Sequence, residues 1–179
     1  MTRDQFAHII RAAAEISGRR DIIVFGSQAI LGSISETRLP FIAVRSMEAD
    51  LVLYGTPGGE KVEALMGLDS QFYKSFGVYA DTVSQNTSTP PRGWRRRLVP
   101  FETAATQPGR ALCLDRHDLA VSKLMAGRPK DFAFVSALCE AGLLSLPTMS
   151  DRLRYVDGVT KAQLDRARAY MESCKPRSG

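Results

Sequence analysis

Two carboxylates, Glu48 and Asp50, stand two residues apart in the segment Ser46-Met47-Glu48-Ala49-Asp50-Leu51. The segment alternates as a strand does, so Ser46, Glu48, Asp50, Val52 and Tyr54 share one face and Met47, Ala49, Leu51 and Leu53 the other. Two acids on one strand face repel each other; a divalent cation between them removes that cost, and oxygen ligands at this spacing suit Mg²⁺. Earlier, Gly26-Ser27 interrupts an apolar, β-branched run at residues 21–25, and residues 28–31 can begin a helix capped by Ser27. Backbone N–H groups at such a strand-to-helix corner face whatever lies above it, and glycine lets an anion approach closely. A phosphate cradle beside a two-carboxylate metal site is what metal-assisted phosphoryl or nucleotidyl transfer requires.

Further candidates lie downstream. Tyr79, Asp81 and Val83 share a face of a strand expected at residues 78–83, so Asp81 could be a third metal ligand; an exposed acid at a strand end accounts for it equally simply. Arg92, Trp94, Arg95, Arg96 and Arg97 form the densest basic patch, with no acid until Glu102. Guanidinium forks bind phosphates and an indole can stack a base, so RNA or nucleotide contact is expected there, against the simpler case of a solvated loop with Trp94 packed inward. Lys123 falls on a helix expected at residues 117–126, with Leu119, Ala120, Ala126 and Gly127 at three and four residues' distance. A charge on so apolar a face either snorkels or points into a site, and bound triphosphate is the partner expected for it. Pro129 suits the first position of the next helix, which puts Asp131 in its first turn, where it serves the helix dipole, orients Lys123 or takes a proton.

Taken in order, Gly26-Ser27, Glu48-Ala49-Asp50 and the later Asp118 … Lys123 … Arg128-Pro129-Lys130-Asp131 resemble the signature of the polymerase-β-type nucleotidyltransferase superfamily, and the last segment resembles its AbiEii-like toxin branch. The resemblance implies Mg²⁺ held by Glu48 and Asp50, an NTP held by Gly26, Ser27, Lys123 and Arg128, and catalytic roles for Glu48, Asp50, Lys123 and Asp131. It also implies an RNA acceptor, a tRNA 3′ end among the options, and a toxin role countered by an antitoxin protein. Glu48 stands where the family usually has Asp, which keeps a non-catalytic RNA- or protein-binding member in view. A small-molecule nucleotidyltransferase of the antibiotic-modifying kind would share the metal site without needing the arginine patch.

The elements that must position these groups follow from periodicity. Phe6, Ile9, Ile10, Ala13 and Ile16 mark an amphipathic helix over residues 2–17 that ends at Gly18. Residues 31–45 read as a loop, residues 60–66 as a short helix, and residues 72–79 as an aromatic stretch, more plausibly core than a base platform. A strand is expected at residues 111–115 and helices at 129–142, 146–156 and 161–173, before a frayed tail at 175–179. The fold expected is α/β or α+β, a small mixed sheet flanked by helices, divided into a nucleotidyltransferase-like core at 1–115 and a helical C-terminal part at 116–179. With 179 residues, 44% of them hydrophobic, and a net charge of +5, the chain is long enough for one ordinary core and can meet an anionic partner. Three cysteines and two histidines without a C-x-x-C pair argue against disulfide and zinc frameworks. No apolar run reaches membrane-spanning length and no leader opens the chain, so a cytoplasmic protein is expected.

Overall fold

Helix α1 (Arg3–Ser17) starts at Thr2, whose hydroxyl accepts from Gln5 N while the Gln5 side chain reciprocates, and it stops at Gly18 in the left-handed conformation. Its apolar stripe, Phe6, Ile9, Ile10 and Ala13, is fully buried. The computed structural model describes residues 1–174; residues 175–179, where a frayed tail is expected, lie outside the described residues.

The stripe covers a five-stranded sheet built from β1 (Asp21–Phe25), β2 (Glu48–Leu51), β3 (Tyr79–Thr82), β4 (Val99–Phe101) and β5 (Arg110–Cys113). The strand order is β3-β2-β1-β5-β4. β1 lies antiparallel to β2 and parallel to β5, β2 is parallel to β3, and β4 is antiparallel to β5, so the sheet is mixed as expected. β1 is central and almost continuously apolar, which suits a strand covered on both faces. β4 has no counterpart in the sequence reading. It is an edge strand of three residues with Pro100 at its middle, and an edge is where a strand tolerates proline.

Residues 31–45 are more ordered than the expected loop. After Gly26 the chain makes a 3₁₀ turn, Ser27–Ala29, then the short helices α2 (Ile30–Ser33) and α3 (Phe41–Val44). Gly26, not Ser27, occupies the cap position, and no side chain caps this start. α4 (Gly59–Met66) matches expectation, whereas the aromatic stretch begins with an unforeseen helix, α5 (Gln71–Phe76), capped by Ser70. Its rings pack on protein: His8 lies 5.2 Å from Phe72 and 4.3 Å from Phe76, and Tyr73 meets Tyr79 at 5.3 Å. The strand expected over residues 46–54 is cut to β2 because Leu53 N turns back to donate to Leu51 O.

After β5 come α6 (Arg116–Ala126), α7 (Pro129–Glu140), α8 (Leu146–Leu153) and α9 (Lys161–Ser173). Among the described residues, no helix is long and apolar enough to cross a membrane. The start of α6 is a buried ionic knot. Asp115 caps the helix by accepting from His117 N at 2.9 Å. Asp118, fully buried, receives Arg97 Nε at 2.8 Å and Arg152 Nη1 at 2.9 Å, and Arg152 also bonds Asp115. One carboxylate thus ties the segment before β4, helix α6 and helix α8 together. Removing one partner of a buried pair leaves an uncompensated charge, at a cost of about 3–5 kcal/mol. Asp118→Ala should therefore lower unfolding stability by about that amount in urea titration, and Arg97→Ala, whose side chain is partly exposed, by less.

Candidate active site

Strand register brings the acids together. β2 and β3 pair in parallel with Glu48 opposite Tyr79 and Asp50 opposite Asp81. Ala49 and Leu51 point into the core, so Glu48 and Asp50 face the other way, as the alternation requires. Glu48, Asp50 and Asp81 each offer an oxygen, and these oxygens lie within 4.8 Å of one another. Of the two readings left open for Asp81, the register puts it beside the pair. Tyr79 adds a ligand-orienting contact that sequence reading missed: its hydroxyl donates to Glu48 Oε2 at 2.9 Å.

Gly26 sits against this cluster, with φ of +63°. A Cβ there would stand 1.5 Å from Asp50 Oδ2. The anion that glycine admits at this corner is thus Asp50's own carboxylate, across the antiparallel β1–β2 pairing that sets Phe25 opposite Asp50. The helix after it is too short to carry much of a dipole, which corrects the basis of the expected phosphate cradle.

Two of these acids, Glu48 and Asp50, line a cleft of about 750 Å³. Gly26, Ser27, Glu48 and Asp50 line it with Lys123, Arg128 and Asp131 from α6 and α7, with Lys130 of the same motif, and with Arg45, a cation that sequence reading passed over. Lys123 is mostly buried, and its partner is a protein group: Nζ lies 3.3 Å from Asp131 Oδ1 and 4.8 Å from the centre of the Phe134 ring. Asp131, wholly buried, also takes Arg128 Nε at 2.6 Å and accepts from Arg128 N at 3.3 Å. The same carboxylate thus caps α7 and contacts Lys123.

The basic patch is divided. The Trp94 ring is buried edge-on against Phe25 at 5.1 Å and is closed to a base; Arg97 is consumed by Asp118. Both had been expected at an RNA surface, and tertiary packing removes them from it. Arg92 pairs at the surface with Asp157 at 3.1 Å, Arg95 lies over the Trp94 ring at 4.6 Å, and Arg95 and Arg96 are exposed.

Electrostatics follow from this layout. Burial, then the charge of Glu48 and a hydrogen bond shared with it, then Asp81, push the Asp50 carboxyl up to about 7, against the pull of Lys123. Burial, Glu48 and Glu63 raise Asp81 as well. Burial lowers Lys123, partly offset by Asp131 and Asp50. Burial would raise Asp131, but hydrogen bonds and charge from Arg128 and Lys123 outweigh it and hold the carboxyl below its ordinary range. Three converging carboxyl groups, one of them pushed up by burial and by the charge of the others, form a donor set that fits a hard divalent metal.

A family model described as a nucleotidyltransferase of unknown function (DUF6036) matches residues 4–173. The chain belongs to this family. It is accordingly an enzyme of the nucleotidyltransferase type, and the mixed sheet with flanking helices is its small nucleotidyltransferase-like fold. Searches of curated proteins and of solved structures returned no match.

In this DUF6036 nucleotidyltransferase the Asp50 carboxyl has a pH signature. The folded chain holds this proton up to about pH 7, whereas the unfolded chain releases it near 3.8, so between those values the folded state binds more protons. Raising pH through that window removes stability in the absence of metal. Asp50→Asn cannot lose a proton, so its melting temperature relative to wild type should rise from pH 5 to pH 8. Adding Mg²⁺ at pH 8 should raise the melting temperature of wild type more than that of the variant. Parallel pH profiles with and without the metal would contradict the assignment.

Proposed function

We propose that this protein moves a nucleoside monophosphate from an NTP to a hydroxyl, with Glu48, Asp50 and Asp81 holding Mg²⁺. The observation that carries the reading is the convergence of these three oxygens at a cleft that Glu48 and Asp50 line together with Lys123. A divalent cation held there would reduce charge on the α-phosphate and help the acceptor hydroxyl ionise. The chain's own groups do the rest. Tyr79 orients Glu48, while Gly26 leaves room for Asp50. Lys123, aimed by Asp131, neutralises charge as pyrophosphate leaves, and Arg128 joins it on the phosphates. Arg45 and Lys130 line the same space and have no ion-pair partner among the described residues, so they are suited to the outer phosphates. Ser27 lines the cleft beside Gly26 and is assigned to the same phosphates.

For the acceptor, RNA is the first reading, supported by the net charge of +5 and by exposed Arg95 and Arg96. A tRNA 3′ end, a toxin role with an antitoxin partner, membership of the AbiEii-like branch and a cytoplasmic location rest on the resemblance of the Lys123 to Asp131 segment. A second reading, a small-molecule hydroxyl, is favoured by one fact: no residue of the arginine patch lines the cleft.

Incubation with labelled NTPs and total RNA, resolved on a gel, tests the reading directly. Asp50→Ala should abolish labelling while the protein still melts cooperatively; near-normal labelling would refute the metal site. In Lys123→Met, Arg128 still pairs with Asp131, so the fold should hold while the single-turnover rate falls about 10²-fold or more, the range for one preorganised electrostatic group. Arg95→Ala with Arg96→Ala should flatten the salt dependence of RNA binding, since each lost phosphate contact removes roughly one released counterion. An unchanged slope would move the acceptor to the small-molecule class.

A further inference from the structure

The lining of the cleft is not all charged. α3 contributes Phe41 and Ile42, and Phe41 is 78% exposed, the highest value among the exposed large apolar side chains of the described residues. This exposure is not that of a loose segment. Between Phe41 and Arg45, Ala43 is fully buried, and its carbonyl accepts Nε2 of the equally buried Gln28 at 3.3 Å. Ala43 N in turn donates to Pro40 O at 2.9 Å, and α3 packs on α7, the helix that carries Asp131. The phenyl ring is therefore presented by anchored backbone at the same cleft as the acids and the cations.

The rest of the lining says what such a ring would stand beside. Arg45, Lys123, Arg128 and Lys130 line the same cleft as Glu48 and Asp50. A molecule that satisfies both parts of this lining has a polyanionic end for the cations and the metal and an aromatic face for Phe41. The cleft's volume of about 750 Å³ is of the size that holds such a molecule.

We propose that Phe41 is the stacking platform for the base of the bound NTP. This rests on the nucleotidyl-transfer reading. Aromatic stacking is tolerant of base identity because every base has a π-face, so the platform serves all four NTPs and leaves discrimination to other contacts.

Calorimetric titration of the full chain in Mg²⁺ with ATP, GTP, CTP and UTP, and separately with inorganic tripolyphosphate, tests it. Phe41→Ala should weaken all four NTPs by about 5- to 100-fold and leave tripolyphosphate binding as in wild type. Phe41→Trp should keep NTP affinity and show indole quenching on NTP addition that wild type lacks. Unchanged NTP affinity in Phe41→Ala would overturn the platform, and so would an equal loss of tripolyphosphate, which would make Phe41 a support of the fold. An unchanged NTP affinity with a raised KM for an RNA acceptor would give the ring to the acceptor's base and equally overturn the assignment. Wild-type protein that binds tripolyphosphate as tightly as NTPs would defeat the platform alone. Wild-type protein that binds neither would defeat the nucleotidyl-transfer reading beneath it.

Discussion

Repulsion among carboxylates is the constraint around which the rest of the protein is arranged. The parallel pairing of β2 with β3 forces Asp50 alongside Asp81, and the two-residue spacing adds Glu48 to the same face. Nothing in strand propensity favours this. The sheet accepts it because the opposite face of β2 is Ala49 and Leu51, both fully buried, so a one-residue slip would move acids into the core and apolar groups out of it. Hydrophobic registration is what holds the acids in contact. Gly26 then completes the packing, since any larger residue would strike Asp50.

A second ionic system, with the opposite design, holds the helices that face this site. Around Asp118 and Asp115 the acids are matched by cations, and Arg97 and Arg152 arrive from distant parts of the chain. Satisfied buried ions specify one arrangement of segments even where they add little net stability. The consequence for function is indirect. α6 carries Asp118 at one end and Lys123 near the other, so fixing the start of the helix fixes where the lysine stands.

What could be read beforehand was local. Alternation along residues 46–54 gave the shared face of Glu48 and Asp50, and the three-and-four spacing of apolar residues gave α1, α6 and α9 with boundaries close to those observed. Proline at the start of α7 and Asp131 in its first turn were legible for the same reason: capping acts over three or four residues. What was illegible depended on tertiary partners. Trp94 and Arg97 looked like a nucleic-acid surface because the two groups that claim them, Phe25 and Asp118, lie far away in sequence. β4 was hidden by Pro100, which argues against a strand unless the strand is known to lie at an edge. α3 is four residues long, too short for a periodic signal, so Phe41 could not be set apart from loop.

The place of Asp131 shows why a lysine aimed at an acidic site needs an acid of its own. Lys123 feels the attraction of Asp50, and without another partner its ammonium would settle on the acidic cluster as a built-in counter-ion. It would then compete with any divalent cation for the same oxygens. Asp131 intercepts it at 3.3 Å, and the Phe134 ring supports the ammonium from a second direction. An ammonium has three donors, and this carboxylate engages one of them. Lys123 still lines the cleft, so on the nucleotidyl-transfer reading its other donors are left for a phosphate and the acids' oxygens for a cation. Arg128 keeps Asp131 from being short of positive charge when Lys123 turns toward an anion. The pairing of acid to base across α6 and α7 thus keeps the two halves of the cleft chemically distinct, one for a cation and one for an anion.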